Sequence, residues 1–334
     1  MVIGLKRTLL LALFLALLLQ LAASFSAHAQ SCSVTSASGN YGLVDILAGG
    51  AVDTTSTFTV TCSGCALGCT VNACVQFNQG APNSSNSVRS LGSGANAAIH
   101  ELYSDSGRTQ VWGSWGYGTT AYGSGGVSIN LSLPLLGGPA QQSLTVYGRF
   151  LANQQATIPG TYVWSTTSPV VAYAAYLLAS PNCSSNPGTT TNAGASPWTA
   201  TIAGNCIVST TPLNFGNASL LTSNIDGVGT ISVKCTNTTP YSIGLDNGVN
   251  PSGSQRRMQA GSSFITYNLY TDAARTSAWT STTSATTCTS GASTCVLGTG
   301  TALNQNVSVY GRVPPQTSPP AGSYADTIVV TVTF

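Results

Sequence analysis

Apolar and polar side chains alternate one by one in short runs along most of this chain. In residues 57–62 (TFTVTC), Phe58 and Val60 face one way and the threonines the other; residues 230–235 (TISVKC) repeat this with Ile231 and Val233. The C-terminal TIVVTVTF continues the alternation for eight residues. Period two predicts strands with one buried face. Polar clusters such as NQG, DNG and PSGS separate the runs and predict turns. One stretch departs from the pattern. Residues 9–23 are apolar but for Gln20, follow Lys6 and Arg7, and precede the small-residue site Ala27-His28-Ala29. That order predicts a signal peptide over residues 1–29, cleaved after Ala29, and not a transmembrane anchor.

Several runs occur twice. LYSDSGRTQVW (residues 102–112) matches LYTDAARTSAW (269–279) without a gap, SLTVYGRF (143–150) matches NVSVYGRV (306–313), and IPGTY (158–162) matches PAGSY (320–324). Cys32 stands eight residues before Asn40-Tyr41-Gly42, and Cys206 eight before Asn214-Phe215-Gly216. The chain is therefore a duplication. Six or seven short strands per copy predict an all-β fold of two sandwich domains in tandem. The predicted boundaries are a first domain over 30–183, a linker over 184–204 rich in Ser, Thr, Asn and Gly, and a second domain over 205–334. Within that linker, WTATIAG alternates and reads as a strand in its own right.

Charge narrows the functions available. Removing Lys6 and Arg7 from the ten basic residues leaves eight, against eight acidic ones, and charged residues make up 5% of the chain. Such a surface offers no electrostatic footprint for nucleic acid. Catalytic groups are equally scarce. His100, beside Glu101, is the one histidine past the predicted signal, and neighbours on a strand point to opposite faces. His100 is expected at the surface or a strand edge, and no enzyme, cofactor or metal site is expected. Asp105 and Asp272, Arg108 and Arg275, and Arg149 and Arg312 are matched between copies. They are read as structural: aspartates capping turn amides, and arginines reaching carbonyls or carboxylates.

All ten cysteines lie past the signal, which favours disulfides in an oxidising compartment. Duplication pairs Cys32 with Cys62 and Cys206 with Cys235, and Cys288 with Cys295 closes a local hairpin. Cys65, Cys69, Cys74 and Cys183 allow three connectivities, of which Cys65–Cys69 with Cys74–Cys183 is favoured. The spacing of Cys62, Cys65, Cys69 and Cys74 is not the paired-knuckle spacing of a zinc site.

The paired motifs C-x7-N-[YF]-G, LY[ST]D-x2-RT-x2-W and [TS]VYGR, with the terminal PAGSYADTIVVTVTF, resemble spore coat protein U domains, the subunit type of archaic (Csu-type) chaperone–usher pili. The resemblance implies immunoglobulin-like sandwiches, the C-terminal one a pilin domain lacking a strand. It implies a periplasmic chaperone, an outer-membrane usher and an adjacent pilin that donates its N-terminal strand as partners. β-augmentation supplies the missing backbone bonds and core side chains. With only Gln30 and Ser31 between the expected cleavage site and Cys32, the chain is expected to accept a strand and not to donate one. The implied role is the tip adhesin of such a pilus, exported through the periplasm to the cell surface of a Gram-negative bacterium and serving biofilm formation. It would bind an abiotic or host surface through loops of its first domain. The candidate residues are Leu67, Trp115, Tyr117, Tyr122, Pro134, Leu135 and Leu136; all but Tyr117, Tyr122 and Pro134 are singled out for lacking a counterpart in the second copy. A glycan-binding tip and a spore or cyst coat protein are the alternatives.

Overall fold

The alternation becomes a set of antiparallel strands with one face inside. In the strand that contains TFTVTC, Phe58, Val60 and Cys62 are buried while the threonines between them are not. The structure, a computed structural model, describes residues 30–65, 67–77, 88–114, 126–164, 169–176, 189–281 and 295–334. The signal-peptide segment lies outside them. No helix occurs among the described residues. The chain forms two units, each a sandwich of two sheets, as the duplication predicts.

The first sandwich contains twelve strands: β1 (Ser31–Val34), β2 (Gly39–Val44), β3 (Val52–Ser63), β4 (Leu67–Gln76), β5 (Arg89–Ser93), β6 (Asn96–Tyr103), β7 (Val127–Leu135), β8 (Ala140–Phe150), β9 (Gly160–Trp164), β10 (Val170–Tyr176), β11 (Thr189–Asn192) and β12 (Trp198–Ile202). One sheet runs in the order β1-β3-β8-β6-β5-β9-β12-β2, and the other β11-β10-β4-β7. The core between them is aromatic. Phe58, Phe77, Trp112, Phe150, Tyr162, Trp164 and Trp198 are all buried, each of the larger rings removing roughly 150–250 Å² from water.

The second sandwich contains β13 (Cys206–Thr211), β14 (Ile225–Cys235), β15 (Pro240–Leu245), β16 (Arg256–Ala260), β17 (Ser263–Tyr270), β18 (Cys295–Thr299), β19 (Gln305–Val313) and β20 (Val330–Thr333). Its sheets are β13-β14-β19-β17-β16 and β18-β15-β20. The pairing repeats that of the first unit: Thr54 opposes Gly148 and Asp53 opposes Arg149 there, while Gly227 opposes Gly311 and Asp226 opposes Arg312 here.

The two units differ at one end of each sheet. The segment 184–204, predicted as a linker from its polar composition, contains β11 and β12, and both belong to the first sandwich. Composition misled because only alternate positions of β12 need be apolar: Trp198, Ala200 and Ile202 are buried and the threonines between them are less so. Among the described residues, no strand of the second sandwich corresponds to either.

Disulfides join Cys32 to Cys62, Cys65 to Cys69 and Cys206 to Cys235. The first and last of these each tie the opening strand of a unit to the strand beside it, at directly opposed residues. Cys74 and Cys295 are also disulfide-bonded, while Cys183 and Cys288 lie outside the described residues.

Candidate functional site

The slot that β12 fills in the first unit is filled by no strand of the second among the described residues. β12 lies between β9 and β2. The counterparts of those neighbours are residues 322–326, bridged to β16 through Gln259 and Ala325, and residues 213–218, which form no strand. Between them lies a cavity of about 380 Å³. One wall is Thr211, Leu213 and Phe215, the other Tyr324, Ala325 and Ile328, and Ile231, Leu245, Leu269 and Val309 form the floor. Leu213, Phe215, Ile328, Val330 and Val332 pack against the core yet remain only partly buried. The same deficit appears where β11 is missing. Val34 on β1 packs near β10 and β11 and is 9% exposed, whereas its counterpart Val208 on β13 is 43% exposed.

The groove is apolar with polar ends. Tyr267 donates to Asp326 Oδ2 at 2.6 Å; burial, and then that carboxylate, push the phenol far above its ordinary pKa, so it remains a donor. An edge strand with unpaired backbone groups over an unfilled core is what an added strand satisfies.

In the first unit, the turn that leaves β7 at one end of the β4–β7 ladder presents apolar side chains outward. Leu131 and Leu133 are buried, while Pro134 is exposed, Leu135 is 69% exposed and Leu136 91%. Leu136 and Gly137 both have positive φ, so the tip turns sharply. Leu67 lies opposite Leu135 in the ladder, and the Cys65–Cys69 bond clips the adjoining chain. Leu67, Pro134, Leu135 and Leu136 are thus at one end. Trp115, Tyr117 and Tyr122 lie outside the described residues. Their flanks are at the other end: Phe77 N–H bonds Gly113 O, and Val127 opposes Val75. The nine-residue span of β4 from Leu67 to Val75 separates the two ends by about 25 Å.

The matched charged residues hold loops. Asp105 accepts from Thr109 N–H at 2.9 Å and Gln110 N–H at 2.8 Å, and Asp272 does the same for Thr276 and Ser277. Arg108 and Arg275, each at positive φ, reach the carbonyls of Gly148 and Gly311. Arg149 grips Asp53 with two bonds of 2.7 and 2.9 Å, and Arg312 grips Asp226 with the same pair. These bonds hold both carboxyls below their ordinary pKa.

His100 departs from expectation, because it is fully buried. Its Nδ1 meets the Tyr41 hydroxyl at 3.1 Å, and Trp164 and Trp198 pack edgewise or tilted against its ring. Burial pushes its pKa well below the ordinary value, so the ring is neutral. Sequence reasoning also passed over Arg89 and Arg256. Each is buried and donates to the carbonyl of a tryptophan 23 residues on, Trp112 and Trp279. That shared spacing was the available signal. Arg89 also pairs with Glu101.

Two antiparallel sandwiches in tandem, one closed by its own last strand and one open along the matching slot, define the class. The family model for the spore coat protein U domain matches residues 17–166 and again residues 183–331. The chain belongs to the spore coat protein U domain family. Protein U of Myxococcus xanthus is 33% identical over 136 residues, 36% of this chain and 71% of that protein. Among solved structures, the chain is similar to the CsuC–CsuE chaperone-tip adhesion subunit pre-assembly complex from archaic chaperone-usher Csu pili of Acinetobacter baumannii, with 20% identity and a TM-score of 0.49 over 91% of this chain and 100% of that one. It is also similar to the CupB6 tip adhesin of Pseudomonas aeruginosa, with 9% identity and a TM-score of 0.35 over 90% and 94%.

Proposed function

We propose that this protein is the tip adhesin of an archaic chaperone–usher pilus, its second unit receiving a β-strand from another subunit and its first unit contacting a surface. One observation carries the reading: within a single duplicated chain, the slot that β12 closes in the first unit is an apolar groove in the second. An open apolar edge invites aggregation unless it is covered. A periplasmic chaperone covers it during export, and the N-terminal strand of the adjacent pilin replaces the chaperone at the usher. The first unit, already complete, needs neither. It is free to present Leu67, Pro134, Leu135 and Leu136 to an abiotic or host surface, as biofilm formation requires; Trp115, Tyr117 and Tyr122 are the companion candidates. The polypeptide has no catalytic role in this reading.

Co-expression with a candidate periplasmic pilus chaperone tests the first half. A soluble one-to-one complex, with the chain alone aggregating, is expected; a soluble, monomeric chain lacking any complex refutes it. Immunogold labelling tests the position, and label spread along fibre shafts refutes a tip. Leu135→Ser with Leu136→Ser is expected to abolish adherence to plastic while leaving piliation intact.

The family's description favours one second reading, a coat protein of spores or cysts. It predicts label over a spore or cyst surface and no chaperone and usher genes nearby.

A further inference from the structure

The two units have exchanged side-chain bulk around the slot, and the exchange restricts what the open groove accepts. Seven residues after the first cysteine, the first unit has Gly39. Trp198 lies over Gly39 and Gly148 so closely that a Cβ on either glycine would collide with the indole. Seven residues after Cys206, the second unit has Leu213. Its side chain covers Gly311, the counterpart of Gly148: a Cβ there would stand 2.8 Å from Leu213 Cδ1 and 2.9 Å from Phe215 Cζ. Leu213 is itself accommodated by Gly227 and Gly229, where the first unit has Thr54 and Ser56. A Cβ at Gly227 would lie 2.9 Å from Leu213 Cδ2, and one at Gly229 would lie 3.1 Å from Leu213 Cβ. The volume that an incoming indole fills in the first unit is therefore filled in the second by the groove's own leucine.

We propose that Leu213 is a selectivity gate. It closes the second unit's groove to any strand with a tryptophan at the position facing Gly311, and so to β12 of its own chain or of a second copy. It admits an extended segment of a separate chain with alternating aliphatic side chains and a small residue at that position. The proposal rests on the reading of the groove as a strand acceptor. A duplicated chain faces a particular hazard, since a strand built for one groove is near in kind to the strand missing from the other. Forcing an indole onto an occupied site costs enough to decide partner choice.

Two peptides test it on the full mature chain, refolded in their presence. One is SPWTATIAG, residues 196–204, and the other is the same sequence with Trp198→Ala. The wild-type chain is expected to bind the alanine peptide at least tenfold more tightly than the tryptophan peptide. Leu213→Gly is expected to bring the two affinities together or reverse their order. Leu213→Ala, which keeps more of the native packing, should move the ratio the same way. Equal affinities in the wild type, or a ratio unchanged by both substitutions, overturn the gate while leaving the acceptor groove standing. Binding of neither peptide to any of the three chains overturns the acceptor reading, and the gate with it.

Discussion

Truncating Trp198 to alanine should unfold the first unit selectively. Its indole is fully buried among Tyr41, His100, Gly39 and Gly148. Removing roughly 150–250 Å² from water at about 25 cal/mol per Å² gives a transfer gain of about 4–6 kcal/mol. Against this stands the indole Nε1, buried with no hydrogen-bond partner among the described residues, at a cost of about 1–3 kcal/mol. The net loss expected for Trp198→Ala is therefore about 3 kcal/mol, within the measured span of such truncations. Trp198→Phe removes the orphaned N–H along with part of the ring, so it should cost about 1 kcal/mol. Scanning calorimetry of the mature chain resolves the units if they melt separately. For a sandwich of this size, 3 kcal/mol lowers the midpoint by roughly 6–12 °C, in the first unit's transition alone. Equal losses for the two variants would refute the unpaired N–H. An unshifted midpoint for Trp198→Ala would show that β12 is no part of the folded sandwich.

Lowering the pH should weaken the first unit before the second. Folded His100 has a depressed pKa and the unfolded residue does not, so stability is full above about 6.5 and falls as pH drops below it, by at most about 1.4 kcal/mol per unit; His100→Leu should flatten that limb in urea titrations. The Arg-gripped carboxyls of Asp53 and Asp226 have lowered pKa values, so their contribution is present above about pH 4 and lost below it. Arg312→Ala should weaken the second unit only slightly because the pair is solvent-screened, with the loss vanishing in acid. Opening the Cys206–Cys235 loop with paired Cys→Ala changes should destabilise the second unit by about 3–4 kcal/mol, read as a shift in its denaturant midpoint.

Much of this architecture was legible because a strand's inward face leaves a period-two trace and a duplication writes it twice. The turn aspartates and the arginines that follow them could be read because each copy vouched for the other. What escaped was information held in only one copy or in a difference between them. β12 could be read as a strand from its alternation, but its place in the first sandwich could not, since the polar composition around it reads as a linker. His100 looked peripheral because the second copy has Tyr267 there, and no local pattern signals that Trp164 and Trp198 converge on it. Leu213 was invisible as a feature until Gly39 and Gly148 were seen beneath an indole. The apolar turn after β7 was legible as residue type, but its place at one end of the β4–β7 ladder required the register.

The late position of β12 in the chain also fixes an order of events. On the export route proposed above, N-terminus first, β1 to β10 emerge before residues 189–202. Until then the leading half has an unfilled seam of its own. Once those residues arrive, it seals itself, and only afterwards does the trailing half appear. Each molecule should therefore need a stand-in strand once for lasting protection, at its trailing half, however many seams it passes through on the way out.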